Sequence, residues 1–405
     1  MLKTQSNALR AVEATLVKVT KVKKPFAKFI IHILGLWLGM NCRYVFSNMD
    51  RWGAMSEKSY RNSFAKVFDW FNFNFLLIGQ HCSKEIIAVF DPSYIKKSGK
   101  HTYGIGMFWS GVRQKALKGL EIGCLAFVDV AAATAMHGIA EQTPSPDSLK
   151  TESKTLVNHY VSIIQKHVEK IKSVTRYLAV DGYFMKQEFI KPLLKEGLHI
   201  ITKARHDANL RYLYNAEKTK RRGRPKTYDG KVNTTAIDKE KIKCFYKDDE
   251  KTIYASVLYS ILLKQKVLAA FVYYGDRKQP EIIIGTDTQM NVKTLCEYYG
   301  LRFQVEFLIR DAKQYTGLED CQSRDKQKLH THFNIAMTAV SIAKAAYHLS
   351  VPKEHRGSFS MADIKMWHMN QLITERIFSN LDVDLSCEKI NNIYNQCLNF
   401  GRLRA

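Results

Sequence analysis

Glu85-Ile86-Ile87-Ala88-Val89-Phe90-Asp91 is where the chain changes grammar: a short apolar run rich in β-branched residues closes on a single acid. Such a run predicts a strand. Upstream, residues up to about Gly79 read as helical. From Ser56 the apolar positions Tyr60, Phe64, Val67, Phe68 and Phe71 recur at helical spacing, with Ser56 as N-cap. Lys58, Arg61 and Lys66 lie outside that stripe, a basic face that suits either DNA or plain solvent.

Downstream of Asp91 the strand-like runs Thr102–Trp109 and Cys124–Val130 precede a long helical pattern from Asp147 to Lys172. The strand Arg176–Val180 then leads into Asp181, a helix spans Met185–Glu196, and a strand covers His199–Lys203. Three strands, helix, strand, helix, strand fits an α/β fold with a ribonuclease-H-like mixed sheet, and other α/β folds as well. Between about 210 and 290 the pattern returns to β, with runs at Ile242–Tyr246, Thr252–Tyr259, Val267–Tyr274 and Glu281–Gly285, read as a β-rich insertion. Helical patterns follow from Val292 through Gly317, from Lys328 to Tyr347, and from Ser360 to Asn399. The expected layout is a helical N-terminal DNA-binding region at 1–80 and an α/β domain at 81–347 containing the insertion. A helical C-terminal region at 348–405 is assigned to dimerisation.

Composition narrows the partners. The 405 residues carry 62 Lys and Arg against 38 Asp and Glu, a formal charge of +24, which favours a polyanion and makes binding salt-dependent. The eight cysteines form no CxxC pair, so neither a zinc site nor a disulfide scaffold is indicated; reduced, mostly core cysteines are expected. Residues 1–7 lack the apolar run of a signal peptide. The most apolar stretch, Phe26–Met40, is too short to span a bilayer and carries Lys28 and His32, which predicts a buried helix in a cytoplasmic protein with no membrane partner.

Phosphodiester cleavage by two metal ions needs carboxylates gathered on neighbouring elements, because cations about 3.5–4 Å apart must hold the attacking and leaving oxygens. Asp91 and Asp181 each close an apolar strand, so adjacent strands could present both at one edge. Either acid alone reads better as a turn residue. Tyr299, Arg302, Glu306 and Lys313 spell Y-x2-R-x3-E-x6-K within a helical pattern. At about 100° per residue the last three fall on one face, with Tyr299 close by. That face sets a carboxylate between two cations able to hold phosphates; alternating charge on a solvated helix is the bland alternative.

This tetrad resembles the Y-R-E-K signature of bacterial insertion-sequence DDE transposases of the IS-4 family. The flanking Arg310-Asp311-Ala312-Lys313-Gln314 and Gly317-Leu318 are similar to the same family. So are Asp91-Pro92-Ser93, Lys97-Ser98-Gly99-Lys100, Phe108-Trp109-Ser110-Gly111 and Val180-Asp181-Gly182-Tyr183. The likeness runs from about Asn41 to Tyr347 in one block order. It implies a ribonuclease-H-like core in which Asp91, Asp181 and Glu306 bind two Mg²⁺ ions, with Mn²⁺ able to substitute, and a β-rich insertion before the last acid. It further implies Arg302 and Lys313 on phosphates, Tyr299 beside them, and Phe303 where a tryptophan often sits. The implied partners are double-stranded DNA, as terminal inverted repeats and as target, and a second copy of the chain in a homodimer on DNA. The implied setting is a bacterial nucleoid, and the implied route is cut-and-paste through a DNA hairpin. A purely hydrolytic nuclease of the same fold and a non-catalytic DNA-binding protein are the competing readings.

Other motifs add less. Arg222-Gly223-Arg224-Pro225 in the basic run Lys218–Lys226 resembles an AT-hook core for a narrow minor groove, and reads somewhat better as a phosphate-contacting loop. Gly99-Lys100 is no P-loop, since Tyr94 stands where a glycine is required and His101 where Ser or Thr is required. Gly104-Ile105-Gly106 lacks a helix start. His330 and His332 read as packing residues rather than metal ligands.

Overall fold

The computed structural model describes residues 6–403 except 21, 215–225, 276 and 382–385. Five helices come first: α1 (Asn7–Lys18), α2 (Lys24–Gly39), α3 (Phe46–Trp52), α4 (Glu57–Phe64) and α5 (Trp70–His81). Local chemistry sets several starts. The Ser6, Ser56 and Asp69 side chains accept the backbone N–H groups of Leu9, Ser59 and Asn72, satisfying donors that a helix start leaves free. The apolar stretch forms α2, which buries Phe29, Ile30, Ile33, Leu34 and Trp37. Among the described residues no helix is long and apolar enough to cross a membrane. The stripe expected from Ser56 to Phe71 is interrupted, because α4 stops at Phe64 and Asp69 caps a new helix; Val67 falls between them and is 82% exposed.

Next come β1 (Ile86–Lys96), β2 (Gly106–Ser110), β3 (Lys115–Asp129) and β4 (Thr134–Gln142), then α6 (Pro146–Thr151), α7 (Leu156–Gln165) and α8 (Val168–Lys172). The helix expected over 147–172 is therefore three, the first break falling at Ser153, whose φ of 53° no helix accommodates. β5 (Tyr177–Val180), α9 (Gln187–Lys195) and β6 (His199–Ala204) follow, and then β7 (Leu210–Leu213), β8 (Tyr228–Lys231), β9 (Lys243–Lys247), β10 (Lys251–Ser260), β11 (Gln265–Tyr274) and β12 (Glu281–Gly285). The chain ends in α10 (Val292–Leu301), α11 (Gln304–Tyr315), α12 (Lys326–Ser350), α13 (Met361–Asn380) and α14 (Glu388–Asn399).

Among the described residues all twelve strands join one sheet in the order β2-β3-β1-β5-β6-β12-β11-β10-β7-β8, with β4 paired to β3 and β9 to β10. β3 lies antiparallel to β1, and β4 antiparallel to β3. On the other side β5 runs parallel to β1, and β6 parallel to β5. The strands expected as a β-rich insertion continue the same sheet, since β12 pairs with β6. The first strands also differ from expectation, β3 starting at Lys115 rather than Cys124. β2 starts only at Gly106, and β4 is an additional strand whose Gly138 and small residues let it pack closely: a Cβ there would meet the Leu125 carbonyl at 2.8 Å.

β4 is an edge strand with a cover. The α12 side chains Asn334, Ser341 and Lys344 take the place of a further strand. The Ser341 hydroxyl accepts from His137 N at 2.8 Å, Asn334 accepts from Ala140 N and donates to its carbonyl at 3.0 Å, and Lys344 donates to the Ala135 carbonyl at 2.8 Å. Unpaired strand groups are thereby satisfied inside the protein. His332 is buried and donates to the Gly317 carbonyl, a packing role. Of the cysteines only Cys124 and Cys321 are buried, fewer than expected, and all eight are free.

The C-terminal helices dock onto the N-terminal ones. Lys365 of α13, 7% exposed, donates to the carbonyls of Trp37 and Met40 and to the Tyr44 hydroxyl. Removing the donor strands three buried acceptors, each costing about 1–3 kcal/mol if wholly unsatisfied. Tyr44 still reaches both carbonyls, which softens the loss. Lys365→Met is thus expected to lower unfolding stability by roughly 2–3 kcal/mol, read from urea denaturation; a change of a few tenths would mean that the ammonium contributes no net stability.

Candidate active site

The register of two strands builds the first half of the site. Ala88, Val89 and Phe90 of β1 pair with Leu178, Ala179 and Val180 of β5, and the residue after each last partner is an aspartate, Asp91 and Asp181. Parallel pairing at matched register sets them side by side. β1 does not stop at Asp91 as expected: it runs on to Lys96, with Asp91 opposite Cys124 of β3. Asp181 is exposed and caps a single 3-10 turn, its Oδ1 accepting from Gly182 N at 2.6 Å. Its carbonyl accepts from the Thr202 hydroxyl of β6 at 2.9 Å.

The second half comes from the α10–α11 junction. The helix expected to run through 299–313 breaks at Arg302 and Phe303, where the backbone tightens into bonds three residues apart, Val305 N to Arg302 O and Glu306 N to Phe303 O. Both residues keep right-handed helical dihedrals, so Arg302 still faces Glu306 one turn on, with Nη2 at 2.9 Å from Oε1. The guanidinium lies 5.8 Å from the Tyr299 ring centroid. Its Nε is buried and has no partner among the described residues. Farther along α11, Lys313 donates to the Tyr94 carbonyl of β1 at 2.7 Å and lies 3.6 Å from Glu319, tying the helix to the strand that carries Asp91.

Electrostatics brings the groups to one place. Burial pushes the half-buried Asp91 carboxyl up to about 7; Arg302 pulls it down, and Glu306, Asp181 and Glu121 push it further up. Burial likewise raises Tyr299 to about 12, with Arg302 opposing and Asp181 adding. Burial works against the charged forms of both motif cations. For Arg302, Tyr299, Glu306 and Asp91 outweigh it; for Lys313 burial wins over Glu319 and Asp91, and its pKa falls.

Sequence reading missed Glu121. It is a buried acid of β3 that accepts from the Tyr160 hydroxyl at 2.5 Å and from Thr143 at 2.9 Å, and burial raises its pKa against those bonds. The one signal for it is an acid inside a long apolar strand.

Asp91, Asp181, Glu306, Tyr299, Arg302 and Lys313 are therefore gathered. Phe303 stands at the junction, 46% exposed and packed edge-on against Phe307 at 5.0 Å. Arg222 and Arg224 lie outside the described residues. The strands flanking them, β7 and β8, are far along the sheet order from β1. Among the described residues no group of three or more His, Cys, Asp or Glu side chains stands in a metal-holding arrangement; Glu306 is engaged by Arg302 instead. The donor set nonetheless suits a hard divalent cation. It is made of oxygens only, and a buried carboxylate among other acids is a charge that a cation relieves.

Ionising Asp91 in the metal-free fold is uphill, since its folded value of about 7 lies above the ordinary 3.8. The penalty is absent below the ordinary value, grows as pH rises, and is complete above the folded one. Asp91→Asn is expected to raise the metal-free melting temperature at pH 8, by a margin that shrinks steadily towards pH 5. A margin independent of pH, measured by calorimetry, would contradict this account of Asp91.

Residues 154–342 match the family model described as a transposase DDE domain, a span that includes Asp181 and Glu306 and begins after Asp91. No curated protein matches the chain. Among solved structures the chain is similar to a piggyBac transposase in a cryo-EM synaptic complex with hairpin DNA. The identity is 15%, 96% of this chain and 80% of that chain are covered, and the TM-score is 0.38, a likeness too distant to carry an argument about chemistry. The family match covers a transposase DDE domain over 154–342, less than half of the chain.

Proposed function

We propose that this chain is a DNA transposase of the DDE type, which cuts at the ends of an insertion sequence and joins those ends to target DNA. What supports the reading most is the gathering of Asp91, Asp181 and Glu306 with Arg302 and Lys313 where β1 and β5 part, in a chain whose residues 154–342 match a transposase DDE domain. The order β4-β3-β1-β5-β6, antiparallel on one side of β1 and parallel on the other, fits a ribonuclease-H-like core that the later strands extend. The +24 charge fits duplex DNA as partner. Pairing two inverted repeats calls for a homodimer on the DNA, with the C-terminal helices as its proposed contact, in the nucleoid of a bacterial cytoplasm.

Asp91, Asp181 and Glu306 would hold two Mg²⁺ ions or Mn²⁺ in their place, which when bound activate water and neutralise charge on the phosphate. The chain's own groups position the DNA. Arg302 offers the unpartnered Nε to a phosphate oxygen while Tyr299 supports the guanidinium from below, and Lys313 adds a second cation beside Asp91. In the first step water adds to phosphorus and the bond to the 3′-oxygen breaks, leaving a 3′-hydroxyl. In the second that hydroxyl attacks another phosphodiester and releases a different 3′-oxygen, so each bond made replaces one broken. Glu306→Gln is expected to abolish divalent-ion-dependent nicking of a DNA end while leaving DNA binding largely intact, because binding rests on Lys and Arg contacts. Nicking retained at the parent rate would remove Glu306 from the site.

The hairpin route is the finer part of the proposal. Closing a 3′-hydroxyl onto the opposite strand takes a base out of the stack, at a cost of a few kcal/mol, and an exposed aromatic can receive it. Phe303 is exposed beside Arg302, with Phe307 behind it. Phe303→Ala is expected to slow hairpin formation on a pre-nicked end far more than the first nick, with thermal melting as the folding control. Equal slowing of both steps, or no hairpin from the parent protein, would refute this role.

A further inference from the structure

Between Asp91 and Glu121 the chain has no acidic residue and six basic ones, Lys96, Lys97, Lys100, Arg113, Lys115 and Lys118. The same stretch builds the hairpin of β2 and the first half of β3, in which Gly106 to Ser110 pair with Gly119 to Lys115. Three exposed apolar side chains stand on this one hairpin: Met107 is 56%, Trp109 58% and the tip residue Val112 92% exposed. Trp109 is the one exposed tryptophan of five; Trp37 and Trp70 are buried, and Trp52 and Trp367 are half-buried. Met107 and Trp109 alternate along β2 and so share a face, opposite Lys118 and Ala116 of β3. Phe108, on the other face, is buried and fixes which way the exposed pair points.

The hairpin's position gives it a direction. Asp91 is paired with Cys124, and from that level β3 extends back to Lys115 beyond the end of β1, roughly 30 Å at a strand's rise per residue. It leaves the sheet on the side where β1 and β5 part and the acids gather. That reach is close to one turn of duplex, about 34–36 Å. A monomer has no use for an exposed tryptophan, methionine and valine on one projecting hairpin. A protein partner would in turn gain little from a stretch of one charge sign, whereas a DNA duplex matches both features. Phosphates pair with Lys118 on the face of Trp109 and with Arg113 at the tip, and a flat aromatic fits a base face or a groove wall.

We propose that the β2–β3 hairpin, Gly106 to Gly119, is a DNA-gripping arm that engages duplex about one turn away from the acid cluster, with Trp109 as its apolar contact and Lys118, on the same face, on a phosphate. The proposal rests on the DNA-transposase reading and adds to it a second point of grip that orients the duplex across the site.

The test uses the full chain, a labelled 40-base-pair duplex of mixed sequence and no divalent ion, so that binding alone is read. Lys118→Ala is expected to reduce the slope of log affinity against log salt by roughly one unit, about 0.9 for a phosphate that is no longer neutralised, and Lys115→Ala, on the other face of the hairpin, by less. Trp109→Ala should weaken binding roughly tenfold and Trp109→Phe should recover most of it. Adding the duplex should also shield tryptophan emission from acrylamide in the parent and not in Trp109→Phe. All three positions are exposed, so unchanged melting temperatures check the fold. If the parent binds the duplex and neither slope, affinity nor quenching changes, the arm is wrong and the transposase reading stands. If those quantities hold while the variants lose self-association, the arm is a contact between copies of this chain and the proposal is overturned. A parent that binds no duplex would sink both readings.

Discussion

Three residue pairs between β1 and β5 carry the architecture. Parallel strands cannot be joined by a tight turn, so the chain must leave β1, build β2–β4 and α6–α8, and return before Val180 can lie beside Phe90. Once it does, Asp91 and Asp181 become neighbours although a long stretch of chain separates them. A slip of one residue in this register would turn the side-chain sequence of β5 to the opposite face. The apolar run before each acid guards against it: Ala88, Val89, Phe90, Leu178, Ala179 and Val180 are all fully buried, and no polar residue could take any of those places cheaply.

The elements around this pairing hold it in place. Helix α12 covers the β4 edge with polar side chains, and also accepts the Thr316 hydroxyl at the Ala336 carbonyl, which fixes where α11 ends. Helix α11 is also held by Lys313 on Tyr94. Glu306 is thus carried by a rod tied to both α12 and β1, and its side chain needs only Arg302 to orient it. The cost falls on Asp91, whose carboxylate is destabilised by burial and by three other acids. A protein selected for stability alone would replace one of them.

Local relations were legible in the sequence and distant ones were not. Arg302 and Glu306 are four residues apart, and that spacing survives the break between α10 and α11 because both junction residues stay helical. The strands before Asp91 and Asp181 were legible because buried parallel strands are continuous apolar runs. Glu121 was not, because it approaches the site only through the antiparallel pairing of β3 with β1, which sets Glu121 opposite Tyr94. β4 escaped because its covering comes from α12, so it lacks the alternation of a half-exposed strand. The later strands read as a separate region for a related reason: nothing local in Glu281–Gly285 says that β12 will choose β6 as its neighbour.

The two cations of the tetrad, alike on the sequence, are in different states in the fold. Lys313 already has a carbonyl at 2.7 Å and a carboxylate at 3.6 Å, and burial lowers its pKa. Its ammonium serves first as a strut between α11 and β1. Arg302 commits Nη2 to Glu306 and keeps a buried Nε with no acceptor. A buried donor without a partner is costly in a finished protein, and the cost vanishes when an anion arrives. The planar guanidinium can satisfy an acid with one edge and a phosphate oxygen with another, whereas the Lys313 ammonium, shared between a carbonyl and a carboxylate, has one N–H left to offer. The fold therefore sets apart two cations that the spacing left equal: the lysine secures the helix that carries Glu306 while adding charge beside Asp91, and the arginine keeps one buried donor without an acceptor among the described residues.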